Sequence, residues 1–280
     1  MFISGNSKQP YWIAVSCMAA CCWLTQSAHA SQQDSIPWPK ADNLTTRVTA
    51  AGTPIAGDTI RLDYTLANDN ASAQRAQTFV VRTVVNTFHV ETPGMQLGWI
   101  YMGGVVQDSA AVLWLGGLGA SQIVAGDSAA GFSYSAVGVI GIVRYYVRGF
   151  VPSPEFDDSV GVRIGRRPRI WNDSYKGWTI AVVPFPTNMT AFGLTARLED
   201  LADMACAEPR FFITEPNICT SPQAKQRLAK QAAQAGNVSA ACSHLTALIS
   251  EVNGLSDAVI KPEGRALLVL NSQHFQRTHC

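Results

Sequence analysis

The fold class of this 280-residue chain is decided by the stretch DTIRLDYTL, residues 58–66. Apolar side chains occupy every second position from Ile60 to Leu66, and polar side chains stand between them. A period of two with one polar side is typical of an antiparallel strand that is buried on one face. The Asn-Asp-Asn sequence at 68–70 then predicts a turn, because these side chains hydrogen-bond to nearby backbone groups.

Further strand-like segments rich in Val, Ile, Phe and Thr continue to about residue 185, separated by Gly, Pro, Asn and Asp. Many short strands without helical periodicity between them favour an antiparallel β-sandwich, with a closed barrel as the alternative. The first segment, 78–90, fits one long strand or two short ones. The others are 98–102, 111–115, 129–135, 140–150, 160–164 and 178–183.

The composition changes near residue 195, where alanine-rich and charged helical patterns replace the strands. Ser221 followed by Pro222 predicts a helix start, since Ser caps a helix and Pro suits its first turn. Gly236 predicts the end of that helix, and Asn237 the start of a second one. A third helix is predicted to open at Pro262. Three such helices would make a small bundle that needs disulfides for stability.

The amino-terminal segment predicts export. Lys8 precedes an apolar stretch at 11–24, and a small-x-small pattern ends at Ala30. These are the parts of a cleavable secretory signal peptide, and the apolar stretch is too short to span a bilayer comfortably. A cut before Cys21 is the alternative, and it would leave a lipid-anchored protein. No transmembrane helix is predicted elsewhere.

The predicted organisation is a mainly β chain in which an antiparallel β-sandwich precedes a small disulfide-bonded helical bundle. Its parts are a signal peptide at 1–30, an extended lead-in at 31–43, a β-sandwich domain at 44–194 and a helical domain at 195–280. Lys8 belongs to the predicted signal peptide, and without it the 21 basic residues become 20, which balance the 20 acidic residues. That balance argues against nucleic acid as a partner, because binding to phosphates requires net positive charge.

Four cysteines remain after the signal: Cys206, Cys219, Cys242 and Cys280. An even number in an exported chain predicts two disulfides, and spacing alone leaves all three pairings open. Neither a Cys-x-x-Cys nor a His-x-x-His spacing occurs. The sequence therefore predicts neither a zinc site nor another cofactor.

The last quarter of the chain resembles the FIMAH domain, a helical module at the carboxyl end of exported bacterial proteins. The resemblance rests on ICTSPQAK at 218–225, AGNVSAAC at 235–242, LTALISEV at 245–252 and ALLVLN at 266–271. Pro222 and Gln226 depart from it, since the family often has Leu at both positions. The resemblance implies an interaction or display module without catalytic residues.

Two further expectations concern the cysteines and the β-rich part. Proximity in the proposed bundle favours pairing Cys206 with Cys219, and Cys242 with Cys280. The β-rich part is loosely similar, through AGDSAAGF at 125–132, to sandwich domains that precede such modules in uncharacterised exported proteins.

The densest basic run is the candidate ligand-binding site of the sequence. The guanidinium group of arginine can donate paired hydrogen bonds to a carboxylate or phosphate group, and a Trp ring beside it can stack on a sugar ring. A charged, solvated strand edge is the alternative explanation. The candidate residues are Arg163, Arg166, Arg167, Arg169 and Trp171.

No catalytic set emerges from the sequence. Asp157 and Asp158 fit a solvated loop better than a calcium site, and His89 lies in an apolar strand pattern typical of packed histidines. We therefore expect an exported, non-enzymatic protein that binds a surface glycan or a protein partner. The alternatives are an extracytoplasmic carbohydrate-active enzyme and a structural envelope protein.

Overall fold

The structure of the chain is a computed structural model. It describes residues 44–83, 87–91, 98–101, 104–106, 109–116, 122–150, 174–185, 189–207 and 212–280. The predicted signal peptide, the lead-in and the alternative lipidation site at Cys21 lie outside the described residues.

The segment at 58–66 forms the second strand, as its alternation predicts. Strand β1 (Thr46–Ala56) and strand β2 (Thr59–Asn68) pair antiparallel, and Val48 lies opposite Leu66. Gly57 links them with a φ of 55°, a backbone conformation that favours glycine. The apolar positions of β2 are buried, while Arg61, Asp63 and Thr65 between them are partly exposed.

The strands form two antiparallel sheets. The remaining strands are β3 (Ala76–Arg82), β4 (Thr87–Glu91), β5 (Trp99–Tyr101), β6 (Gly104–Val106), β7 (Ser109–Gly116), β8 (Ser128–Val137), β9 (Val139–Gly149) and β10 (Tyr175–Val183). The first sheet has the order β1-β2-β8-β4, and the second has the order β10-β9-β3-β7-β5, with β6 also paired to β7.

The predicted segment at 78–90 is two strands, and they belong to different sheets: β3 pairs with β7 and β9, whereas β4 pairs with β8. The segments at 98–102, 111–115, 129–135, 140–150 and 178–183 each overlap an observed strand. The segment at 160–164 lies outside the described residues. Strand β1 was not predicted as a separate element.

Aromatic side chains from the two sheets contact each other. Tyr64 of the first sheet meets Phe79 and Trp114 of the second, with ring centroids 5.8 and 6.0 Å apart. Phe132 of the first sheet lies 5.3 Å from Phe79 and 5.6 Å from Trp114. Such ring pairs contribute roughly 0.5–1.5 kcal/mol each beyond the burial of their area.

Four helices follow the strands in the part of the chain that the structure describes, so the fold is mixed α and β rather than mainly β. The helices are α1 (Ala191–Cys206), α2 (Pro216–Gln234), α3 (Val238–Gly254) and α4 (Pro262–His279). The predicted domain boundary between 194 and 195 falls inside α1. The division into two domains stays a prediction. None of the described helices is long and apolar enough to cross a bilayer.

The predicted start of α2 at Ser221 is wrong. The helix begins at Pro216, so Pro222 lies inside it, where it is buried. Cys219, which precedes Pro222, is also buried and is bonded to Cys206 of α1. Burial and the crosslink hold this first turn in helical form although Pro222 lacks a backbone N–H. The other predicted boundaries are correct: Gly236 has a φ of 75°, Asn237 caps α3 through Ala240 N, and α4 opens at Pro262.

The two disulfides are Cys206–Cys219 and Cys242–Cys280, the pairing that the proposed bundle favours. Both lie among the helices, and the second joins α3 to the residue that follows α4. Disulfides persist in oxidising compartments, so they indicate an environment outside the reducing cytosol.

Helix α4 packs directly against the strands. Asn271 accepts a hydrogen bond from Ile140 N and donates one to Ile140 O, both at 2.9 Å. Leu267 and Leu270 belong to the same hydrophobic core as the aromatic rings of the sheets. Gly52 of β1 lies so close to α4 that an added Cβ would come within 2.9 Å of Leu270. The helical part is therefore supported by the sheets as well as by its disulfides.

Candidate functional site

The structure does not test the candidate site of the sequence. Its members, Arg163, Arg166, Arg167, Arg169 and Trp171, lie in the segment 151–173 between β9 and β10, outside the described residues. The same holds for Asp157 and Asp158. Ligand binding by this basic run stays a prediction.

The described tryptophans lie in different environments. Trp99 and Trp114 are buried in the core, where they pack against Phe132. Trp178 is partly exposed, and the Arg144 guanidinium carbon lies 3.7 Å from its ring centroid. His89 lies on β4. Trp178 borders a surface cavity.

That cavity, which we call the α4 cleft, lies where β1, β9 and β10 meet the first turn of α4. Its volume is about 450 Å³, within the range of roughly 300–1,000 Å³ typical of small-molecule sites. Basic, aromatic and hydroxyl side chains line it together with one carboxylic acid. The lining residues are Thr46, Arg47, Val48, Thr49, Arg144, Tyr145, Tyr175, Lys176, Gly177, Trp178, Phe212, Lys261, Pro262 and Glu263.

Strand register and one small residue shape the cleft. Gly177 of β10 lies opposite Tyr145 of β9, and a Cβ at position 177 would come within 2.3 Å of the Tyr145 ring. The absence of a side chain there lets the ring lie across β10. The Tyr145 hydroxyl donates a 2.8 Å hydrogen bond to the carbonyl oxygen of Thr46. This bond joins β9 to β1 and holds two walls of the cleft together.

Four cations line the cleft: Arg47, Arg144, Lys176 and Lys261. Across the described ranges, no carboxylate lies within ion-pair distance of any of them. Arg144 lies over the Trp178 ring, and this cation–π contact positions its guanidinium. The cleft therefore has an excess of positive charge that the described protein does not neutralise.

Glu263 is the one carboxylic acid in the described lining, and only 2% of its surface is exposed. Its Oε1 accepts a 2.8 Å hydrogen bond from Ala50 N of β1. Its Oε2 is buried without a hydrogen-bond partner among the described residues. Burial raises the pKa of this carboxyl from 4.5 to about 7, while the Ala50 hydrogen bond and the charge of Lys261 act in the opposite direction. Glu263 therefore changes charge near neutral pH.

A second cavity, of about 350 Å³, lies near the other end of α4. His274 Nδ1 and Arg277 each lie 3.2 Å from Asp58 Oδ1, and the Phe185 ring lies 4.8 Å from the His274 ring. The Thr278 hydroxyl in this cavity already donates to the carbonyl oxygens of His274 and Phe275. These contacts tie α4 to the turn between β1 and β2.

Within the described ranges, no three His, Cys, Asp or Glu residues lie close enough together to hold a metal ion. The sequence-based expectation that the protein binds no cofactor stays a prediction.

Sequence reasoning missed the α4 cleft. It placed Glu263 at a helix start, but Ala50, its backbone partner, is 213 positions away. Local sequence pointed the other way: Glu263 follows Lys261 and Pro262 at a helix opening, where a carboxylate is expected to be exposed rather than buried.

Comparison with known proteins does not identify the chain. No protein-family model matches it, and no curated protein matches it significantly. Among solved structures, it is similar to an uncharacterized protein from Nocardia farcinica whose crystal structure reveals an immunoglobulin-like fold. The identity is 12%, the match covers 49% of this chain and 97% of that one, and the TM-score is 0.29. The likeness is too weak to bear on function, and the resemblance to the FIMAH domain stays a prediction.

Proposed function

We propose that this protein is exported and binds a saccharide in the α4 cleft without a catalytic step. The observation that carries the proposal is the lining of the cleft, which combines aromatic rings with hydrogen-bonding groups from three strands and one helix. Saccharide sites need both, because a sugar ring has apolar faces and polar edges. The interaction role implied by the FIMAH resemblance agrees with this proposal.

Two further features belong to the same proposal. The two sheets form a sandwich, supported by the contacts of Tyr64 with Phe79 and Trp114 between them. The chain leaves the cytosol through the signal at 1–30, supported by its two disulfides.

Binding is favoured over glycoside hydrolysis by the composition of the cleft. Hydrolysis requires two carboxyl groups that flank the scissile bond, about 5–10 Å apart. The described lining contains one, Glu263, and its Oε1 is engaged by Ala50 N.

The experiment is a glycan-array screen of residues 31–280, oxidised, with a matched pair of variants. Thr49 and Thr53 are both exposed on β1, and Thr49 lines the cleft whereas Thr53 does not. We expect T49W to reduce binding by about tenfold or more, because the indole fills the cleft, and T53W to bind like the original chain. If no saccharide binds, or if both variants bind normally, the α4 cleft is not a saccharide site.

A further inference from the structure

We infer that the saccharide bound in the α4 cleft is acidic, with carboxylate groups that meet the unpaired cations of the cleft. This inference rests on the proposed function and adds the chemical class of the ligand. It concerns a polyanion built of uronic acids rather than a neutral glycan.

The charge balance of the cleft is its first support. Four cations face one carboxyl group, and in the described chain none of the four has a carboxylate partner. Like charges that share a cleft repel each other, so the arrangement is costly until an anion enters. Elsewhere among the described residues, cations such as Lys225, Lys230 and Arg265 have acidic partners within 3 Å.

The placement of Arg144 is the second support. Its guanidinium lies over the face of Trp178, which fixes the plane of the group and reduces the entropy lost when it binds. A planar guanidinium presents paired N–H groups that match the two oxygens of a carboxylate. Lys261 adds a point charge at the same cleft.

Glu263 makes the binding sensitive to pH. When it is ionised, its charge opposes that of an acidic ligand. When it is protonated, the cleft carries the full charge of its cations. We therefore expect affinity to rise as the pH falls from 8 to 6, by about fivefold. Lys261 on α4, Tyr64 on β2 and Tyr145 on β9 interact electrostatically with Glu263. The other titratable or charged groups of the cleft are Arg47 on β1, Arg144 on β9, and Tyr175 and Lys176 on β10.

The test measures the affinity of the oxidised 31–280 chain for three probes by calorimetry: an oligogalacturonate, its methyl ester and a sulfated oligosaccharide of equal length. We expect the oligogalacturonate to bind at least about tenfold more tightly than the ester, since the ester lacks the charge-assisted hydrogen bonds. The sulfated probe should bind more weakly than the carboxylate, because sulfate oxygens are less basic and form weaker charge-assisted hydrogen bonds with Arg144.

Three variants and one control locate the effect. R144Q and K261Q should each weaken oligogalacturonate binding by about five- to tenfold. R82Q, at an exposed cation on β3 away from the cleft, should leave it unchanged. E263Q should bind the oligogalacturonate with the same affinity at pH 6 and pH 8.

The outcomes separate the two proposals. Equal affinity for the oligogalacturonate and its methyl ester would overturn the inference that the saccharide is acidic, but it would leave saccharide binding in place. Tighter binding of the sulfated probe than of the oligogalacturonate would overturn only the preference for carboxylate groups. An unchanged affinity in R144Q and K261Q would place the acid outside the α4 cleft. Binding of none of the probes, together with a blank glycan array, would overturn the proposed function itself.

Discussion

The two ends of helix α4 border cavities of similar size but opposite charge organisation. At its carboxyl end, Asp58 is paired with both His274 and Arg277. At its amino end, Arg144 and Lys261 stand in the cleft without a carboxylate partner in the described structure. A cavity whose charges are paired within the protein holds elements together. A cavity whose charges lack partners leaves those charges to solvent or to a ligand, and the proposed binding of an acidic saccharide rests on this difference.

The largest effect is expected at the carboxyl end, from the disulfide Cys242–Cys280. Its cysteines are 38 positions apart, and closing a loop of that length restricts the unfolded chain by about 4 kcal/mol. We expect the free energy of unfolding of the double variant C242S/C280S, measured by urea denaturation, to be lower by most of this amount.

The matched control is C206S/C219S, which removes the disulfide between cysteines only 13 positions apart. Its loss of free energy of unfolding should be about 1 kcal/mol smaller than that of C242S/C280S. Both variants should show the same proposed saccharide binding as the original chain at temperatures where they are folded. Loss of binding in folded C242S/C280S would show that the two ends of α4 are not independent.

The next largest effect concerns Glu263 at the amino end. Its pKa is about 7 in the folded chain against 4.5 ordinarily, so the folded state binds this proton more tightly than the unfolded state. Its contribution to stability is therefore complete below pH 4.5, falls as the pH rises to about 7, and is constant above that. The loss amounts to about 3 kcal/mol, at 1.36 kcal/mol for each pH unit.

E263Q keeps an acceptor for Ala50 N and removes the titration. As the pH rises from 4.5 to 8, the free energy of unfolding of the original chain should fall by about 3 kcal/mol relative to that of E263Q. Denaturation at a series of pH values measures this difference. If the difference between the two proteins is independent of pH, Glu263 is not a buried titrating group.

The smallest effect is expected from D58N. About 40% of the Asp58 and Arg277 side chains is exposed, and solvent-screened pairs of this kind contribute about 1 kcal/mol or less. We expect D58N to lower the free energy of unfolding by that amount, less at high salt, and to leave oligogalacturonate affinity unchanged. A change in affinity larger than the change in stability would assign a role in binding to this end of α4.

Local sequence signals predicted much of the fold. The alternation in β2, the joint at Gly236 and Asn237, and the opening of α4 at Pro262 are each set by the conformational preferences of a few neighbouring residues. Those features appear where they were predicted. The start of α2 was not predicted correctly, because burial and a crosslink to α1 stabilise the turn before Pro222.

The candidate site was beyond sequence reasoning for a different reason. The cleft combines Arg47, Arg144 and Glu263, which are far apart in the chain and belong to elements that meet only after the sheets form. Neither the separation of β3 and β4 into two sheets nor the burial of Glu263 follows from local periodicity. Pairing across long sequence distances depends on the whole fold rather than on neighbouring residues.

The contact between β1 and α4 has a consequence for biosynthesis. The backbone of β1 receives partners from Glu263, through Ala50, and from Tyr145, through Thr46. During translation β1 emerges first among the described strands, and α4 emerges last among the described helices. The outer edge of β1 therefore lacks its partner at Ala50 until α4 has been synthesised, and an uncovered edge can pair with other chains.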